Sequence, residues 1–411
     1  MKERWGSLSD AQKVYFGILA LTALAQGLSG GVLSNYFKDA YQVTAYQRGL
    51  IEFPRELPGV LVIFFVASLS AFSDLRIAMA AQLLALIGIG VLGLATPPYA
   101  VMLIFIFINS AGTHILMPVR DAIGMSLIEG KNYGKRMGQY KGTQTAFTMI
   151  AAILTFAGFR LGFFSFTTKV KWIFLVSAII FFLGFLLYFV LERHLDEPIK
   201  SNKKINFVFR KEYKYYYILV VMWGVQKQIM LVYGPWVLID LLQKKADTLA
   251  VLAILGALIG IFFLPALGRW IDRFGIKKLL YADAFSFIGV YVVYGFLSAG
   301  FASGRFTAFG IPVMIAYVIF ILDKMSNQMG MIRTIYLRSI VVDTADIVPT
   351  LSLGLSMDHV VSITCAIAGG IVWDLWGPQY IFFLAASLSL VNVFVASKVE
   401  IDDVGTDEKS A

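Results

Sequence analysis

The sequence predicts an all-α membrane protein with twelve transmembrane helices in two six-helix halves. Three observations predict it. The 411 residues are 58% hydrophobic and only 15% charged, with a mean hydropathy of +0.75, whereas a soluble domain lies nearer half apolar and a quarter charged. Apolar runs of roughly 17–25 residues, the length that spans a bilayer as helix, recur along the whole chain. One long polar connection, Glu192–Lys214, divides those runs into six and six.

In order, the first six spans are Val14–Tyr36, Gly49–Phe72, Ile77–Ala95, Ala100–Ile128, Ala146–Phe164 and Trp172–Leu191. The next six are Tyr215–Leu242, Leu249–Leu267, Leu279–Leu297, Ile311–Tyr336, Leu351–Trp373 and Tyr380–Ala396. Thr143, Gln144, Thr145 and Arg160 trim the apolar length of the fifth. The expected divisions are residues 1–191, a linker over 192–214, residues 215–397 and a tail over 398–411.

Lysine and arginine fix the expected orientation. The connections "EGKNYGKRMGQYKG", "GRWIDRFGIKK" and "ERHLDEPIKSNKKINFVFRKEYK" are basic, while "TPPY" and "DLWGPQ" carry no Lys or Arg. Basic loops stay in the cytoplasm, so both termini are expected there, in a multi-pass protein of the cell membrane. The formal charge of +9 is spread over these short loops, which argues against a nucleic-acid partner. A single cysteine, Cys365, permits no internal disulfide, and His114, His194 and His359 show no metal-ligand spacing. No cofactor is expected, and the chain is read as a monomer. The polar start "MKERWGSLSDAQK" lacks a small-residue cleavage site, so the first helix is expected to persist in the mature protein.

The halves echo one another. Gln26 and Gln226 lie mid-way in the first and seventh spans, "FSDLR" and "IDRFG" follow the second and eighth, and "MPVRD" and "GMIRT" end the fourth and tenth. Offsets of about 200 residues fit a diverged duplication, a transporter architecture. "GRWIDRFGIKK", Gly268–Lys278, resembles the Gly-x-x-x-Asp-Arg-x-Gly-x-Arg/Lys-Arg/Lys loop signature of the major facilitator superfamily. The first copy, "SAFSDLRIAMA", keeps Asp74 and Arg76 and lacks both glycines. The resemblance implies that Gly268, Asp272, Arg273, Gly275 and Lys277 form a gating loop, with Asp74, Arg76 and Asp121 as its weakened counterpart. The alternative is that these charges only satisfy the orientation rule.

Charges inside spans are costly in lipid and mark cavities or partners. The tenth span holds Asp323, Lys324 and Asn327 in "FILDKMSNQMG"; the seventh holds Lys227 beside Gln226; the eleventh holds Asp358 and His359; the fourth holds Asn109 and His114. The resemblance implies that the first, fourth, seventh and tenth spans line a central cavity, where most of these residues fall. In the second span Glu52, Arg55 and Glu56 share one helical face, between and beside Pro54 and Pro58, which permit a bend. Nineteen residues separate Arg55 from Asp74, about 28 Å of helix, so the trio is expected to line an outward vestibule. The alternative is an interfacial ion pair with the arginine snorkelling.

A carboxyl in a cavity that cycles between wet and dry can carry a proton. Asp323, Glu56 and Asp358 are the candidates, with Lys324, Arg55 and His359 able to balance charge or meet an anionic solute. The competing reading of Asp323 is an ion pair with Lys227 or Lys324 that braces the bundle. The function expected is secondary active transport of a small organic solute, coupled to protons. A non-transporting receptor or lipid-handling protein on the same fold is the alternative. No nucleotide loop of the Gly-x-x-x-x-Gly-Lys-Ser/Thr type is present, which argues against an ATP-driven pump, and enzymatic activity is not expected. "TAFTMIAAILTFAGF" lacks the Gly-Pro pair of the superfamily's drug-exporting branch.

Overall fold

Backbone groups in lipid have no water to bond, so each span must satisfy its own N–H and C=O groups as helix. The computed structural model describes residues 8–69, 71–128, 133–200, 208–343 and 346–399, and these hold helices and no strand. The terminal tail from 400 onward and parts of two basic connections, 129–132 and 201–207, lie outside the described residues. The first half gives α1 (Asp10–Gly30), α2 (Leu33–Tyr41), α3 (Ala45–Ser68), α4 (Asp74–Leu94), α5 (Tyr99–Ser126), α6 (Tyr133–Arg160) and α7 (Trp172–Glu192). The second gives α8 (Lys214–Trp236), α9 (Ala246–Phe274), α10 (Ile276–Ala302), α11 (Ile311–Gln328), α12 (Met331–Ile340), α13 (Ile347–Trp376), α14 (Pro378–Leu388) and α15 (Leu390–Lys398).

Twelve spans account for these fifteen helices because three spans are broken. The first is interrupted between α1 and α2, the tenth at Met329–Gly330 between α11 and α12, and the twelfth at Ser389 between α14 and α15. Among the described residues, ten helical stretches are long and apolar enough to cross a membrane. The remaining two, α3 and α11, carry the charges that the sequence singled out. The fifth span departs most from expectation: α6 starts at Tyr133 rather than Ala146.

Local chemistry sets the helix ends. Ser73 accepts a bond from the Arg76 N–H at the start of α4, and Ser9 accepts one from Gln12 at the start of α1, caps worth about 1 kcal/mol each. α6 and α10 stop on the same device, spelled "AGFRLGFF" and "AGFASGRF". Gly162 and Gly304 turn the chain at φ +75° and +72°. The N–H groups of Phe164 and Phe306 then bond back to the carbonyls of Gly158 and Gly300 at 2.9 and 3.0 Å. Each phenylalanine ring lies where a Cβ on that glycine would be, 2.1 Å away.

Packing divides the chain into two units. One comprises residues 1–43, 53–205 and 245–254; the other comprises 44–52, 206–244 and 255–411. The segments 44–52 and 245–254 thus belong with the unit opposite to their sequence neighbours, a detail that a division at the linker does not contain. In the first unit α4 packs on α5 and α7, and α1 on α6 and α7. α4 and α5 meet at glycines: a Cβ on Gly88 would stand 2.5 Å from the Asn109 nitrogen, and one on Gly112 2.4 Å from the Ala81 carbonyl oxygen. Small residues let membrane helices approach this closely. In the second unit α10 packs on α14 and α15, and α8 on α13. There Arg210 Nε lies 2.6 Å from Asp346, whose carboxylate also accepts the Tyr213 hydroxyl at 2.8 Å, so the end of the polar connection is tied to the start of α13.

Candidate functional site

Each unit contains its own polar cavity. In the first, one face of α5 supplies Ile106, Asn109, Ser110, Thr113, His114, Met117 and Arg120, at the three- and four-residue steps that align on a helix. Gln26 and Ser29 of α1 and Arg55 of α3 complete a cavity of about 210 Å³. Its polar groups are held in place. Asn109 donates to the Ala85 carbonyl at 2.8 Å, the His114 Nδ1 lies 3.0 Å from Ser110 Oγ, and that hydroxyl donates to the Arg55 carbonyl. Arg55 pairs with Glu56 at 2.7 Å.

The cavity of the second unit is larger, about 400 Å³. Tyr216, Val220 and Trp223 face it from α8, Leu351, Gly354, Leu355 and Asp358 from α13, and the break between α11 and α12 contributes Asn327, Gly330, Met331, Arg333 and Thr334. Two ion pairs stiffen its wall. Buried Arg333 meets buried Asp283 at 2.8 Å, and Lys227 meets Asp358. Between them stands the Trp223 indole, with the Lys227 ammonium 4.9 Å and the Arg333 guanidinium 5.0 Å from its ring, both within cation–π range.

Other residues singled out in the sequence stand elsewhere. Asp323 is buried on α11 and accepts from Asn327 Nδ2 at 2.9 Å. Among the described residues it has no ion-pair partner: Lys227 is engaged by Asp358, and the Lys324 ammonium lies 5.0 Å over the Phe320 ring. Glu52 precedes Arg55 by three residues on α3. It is fully buried, paired with Arg48 at 2.5 Å and bonded by Gln228 at 2.8 Å, all three within the second unit. Gln226, the counterpart of Gln26 in the other half, spends its side chain on Ser389 at 2.6 Å and Asn392 at 3.2 Å. It joins α8 to the break between α14 and α15. His359 is buried beside Asp358 on α13.

The loop residues divide similarly. Asp74 is buried at the start of α4, its N–H bonded to the Ile199 carbonyl, while Arg76 is exposed. Asp121 lies 3.3 Å from Lys141 and 3.7 Å from Arg120. Gly268 opens on free space, and Gly275 turns the chain at φ +78° before α10. Asp272 and Arg273 are exposed, and among the described residues Asp272 makes no ion pair. Lys277 reaches the Ser397 carbonyl at 3.4 Å.

Four residues of these sites escaped the sequence reading: Arg120, Trp223, Asp283 and Arg333. The signal for two was present, because "MPVRD" and "GMIRT" place Arg120 and Arg333 at matching positions of the halves, and each lines its unit's cavity. Asp283 lies within the ninth predicted span, where the cost of a charge in lipid already marks it.

The model of the Major Facilitator Superfamily matches residues 15–346. No curated protein matches at a significant level. Among solved structures, a mutant of the nucleoside transporter NupG superposes with a TM-score of 0.75 at 14% identity, covering 95% of this chain and 99% of that one. A POT family transporter in complex with 5-aminolevulinic acid gives 0.73 at 11% identity, covering 94% and 96%. A bacterial homologue of the human lysosomal transporter Spinster, inward-facing and unoccupied, gives 0.63 at 13% identity, covering 94% and 97%. At such identities the likeness establishes a common fold and says nothing of what is carried.

Proposed function

This chain belongs to the major facilitator superfamily, and from that premise we propose that it is a secondary active transporter moving a small organic solute by alternating access, with the proton as its coupling ion. Membership places it among multi-pass membrane transporters. The solute, the coupling and an orientation with both termini in the cytoplasm are the proposal.

The observation that carries the proton reading is the isolation of Asp323. Bracing by Lys227 or Lys324 would need an ion pair, and neither lysine makes one with it. Ionised, Asp323 stands as a buried charge with one amide donor to hold it, and an uncompensated charge in a low-dielectric interior is costly. A bound proton removes that charge. Such a group can therefore hold a proton while enclosed and release it when its surroundings become wet.

Asp323→Asn separates the coupling step from the movement of solute. The variant is expected to lose gradient-driven accumulation while retaining solute exchange, since exchange needs no net proton movement. Normal accumulation by a well-folded Asp323→Asn protein would overturn the assignment. Solute binding with no flux in any mode would favour a receptor on the same fold. The exposed Asp272 fits a gate whose partner is met in another conformation, because a loop that pairs in only one state biases a two-state element.

A further inference from the structure

We infer that the cavity of the second unit receives a zwitterionic solute of amino-acid or dipeptide size, its carboxylate seated at Gly330 and its ammonium at Asp358. This deepens the transport reading and rests on it only for the claim that the bound solute is then moved.

Two buried donors on residues that line this cavity have no acceptor. Arg333 Nη1 is spent on Asp283, whereas its Nη2 has no hydrogen-bond partner, and neither has Trp223 Nε1. They flank Gly330: a Cβ built there would lie 3.1 Å from Nη2 and 3.4 Å from Nε1, with the Asn327 carbonyl oxygen, which already accepts the Gly330 N–H, at 3.2 Å. A carboxylate in the cavity beside Gly330 can offer one oxygen to each donor. Buried donors in folded proteins almost always have partners, so an orphaned pair flanking one glycine on a cavity wall marks the seat of a ligand acceptor.

Two acceptors on the same wall are also unfilled. Lys227 engages Asp358 Oδ2 and leaves Oδ1 without a partner; Asn327 donates to Asp323 and leaves its own Oδ1 without one. An ammonium carries three N–H donors and no acceptor, which suits both.

Charge narrows the class further. Arg333 with Asp283 and Lys227 with Asp358 each sum to zero, so a solute with net charge would enter this wall uncompensated. A zwitterion brings none. A neutral polyol could reach the same atoms, but only ionised solute groups add charge attraction to those bonds. Val220, Met331, Leu351 and Leu355 make the remainder apolar, fitting an aliphatic side chain. The volume of about 400 Å³ falls within the roughly 300–1,000 Å³ of small-molecule pockets.

The test uses the full-length purified protein and thermal stabilisation by four probes: leucine, leucyl-leucine, N-acetyl-leucine and leucinamide. Leucine or leucyl-leucine should raise the melting temperature, and the two blocked forms, one anionic and one cationic, should not. Gly330→Ala keeps a helical backbone, φ −48° and ψ −27°, and puts a methyl group beside both donors. It should weaken binding of the zwitterion by ~10-fold or more, the loss of at least one charge-assisted bond. Trp223→Phe keeps an aromatic ring near both cations, removes the N–H together with the five-membered ring that carries it, and should weaken it in the same direction. The inference is overturned if neither zwitterion stabilises the protein, if the blocked forms do so equally, or if Gly330→Ala binds as tightly as the parent. Uptake of labelled leucine into proteoliposomes reports separately on transport: binding without uptake sinks the transport reading and leaves the site standing.

Discussion

Removing Asp283 should damage this protein more than removing both members of its ion pair. Asp283 and Arg333 are 1% and 4% exposed at the side chain, and one 2.8 Å bond joins them. Asp283→Leu leaves the guanidinium buried without its ion-pair partner, against the Trp223 ring. Breaking a buried pair from one side costs about 3–5 kcal/mol, whereas replacing both partners by apolar groups of similar volume is often close to neutral. Asp283→Leu with Arg333→Met should therefore recover most of the stability lost by Asp283→Leu alone. The assay is thermal unfolding of the four proteins of the cycle, purified in one detergent, so that the coupling is read as a difference. An unchanged single variant, or a double variant no better than the single, would refute the reasoning. Recovery of folding would not restore solute binding, because the Arg333 donor is gone.

Three further outcomes follow from the same structure. Gly158→Ala should destabilise by roughly 1–3 kcal/mol, because the new methyl would meet the Phe164 ring 2.1 Å away; the alanine variant paired with Phe164→Ala should recover part of that in a melting experiment. A cysteine placed in Glu192–Lys214 should resist impermeant reagents added outside intact cells, as should tags at either terminus, and outside labelling of that connection would overturn the orientation. Asp272→Asn should change the accessibility of cavity positions to thiol reagents without loss of membrane insertion, and an accessibility pattern identical to the parent would remove the gating role.

The apolar spans were legible because lipid leaves the backbone only helix, so length and hydropathy suffice. Helix ends were less so. α6 begins within "EGKNYGKRMGQYKG", a stretch too polar to register as a span, yet polarity does not prevent helix formation beyond the hydrocarbon. A boundary error also hid a pairing. The second span was expected to begin at Gly49, one residue after Arg48, and Arg48 is the partner of Glu52 four residues on, a spacing that sequence alone reveals once the helix is long enough. Charges in spans could be named from composition, but their partners could not. Lys227 could have met Asp323 or Asp358, and only the packing of α8 on α13 selects the second. The repeated arginines were visible, while their roles as cavity walls depend on which helical face turns inward.

The decisive measurement is solute accumulation in proteoliposomes carrying the unaltered protein under an imposed proton gradient. The solute should be the one that stabilises the purified protein, supplied at equal concentration on both sides. Proton-coupled transport through Asp323 predicts accumulation on one side that a protonophore abolishes, and no accumulation by Asp323→Asn under the same gradient. Accumulation that survives the protonophore, or equal accumulation by the variant, would contradict it.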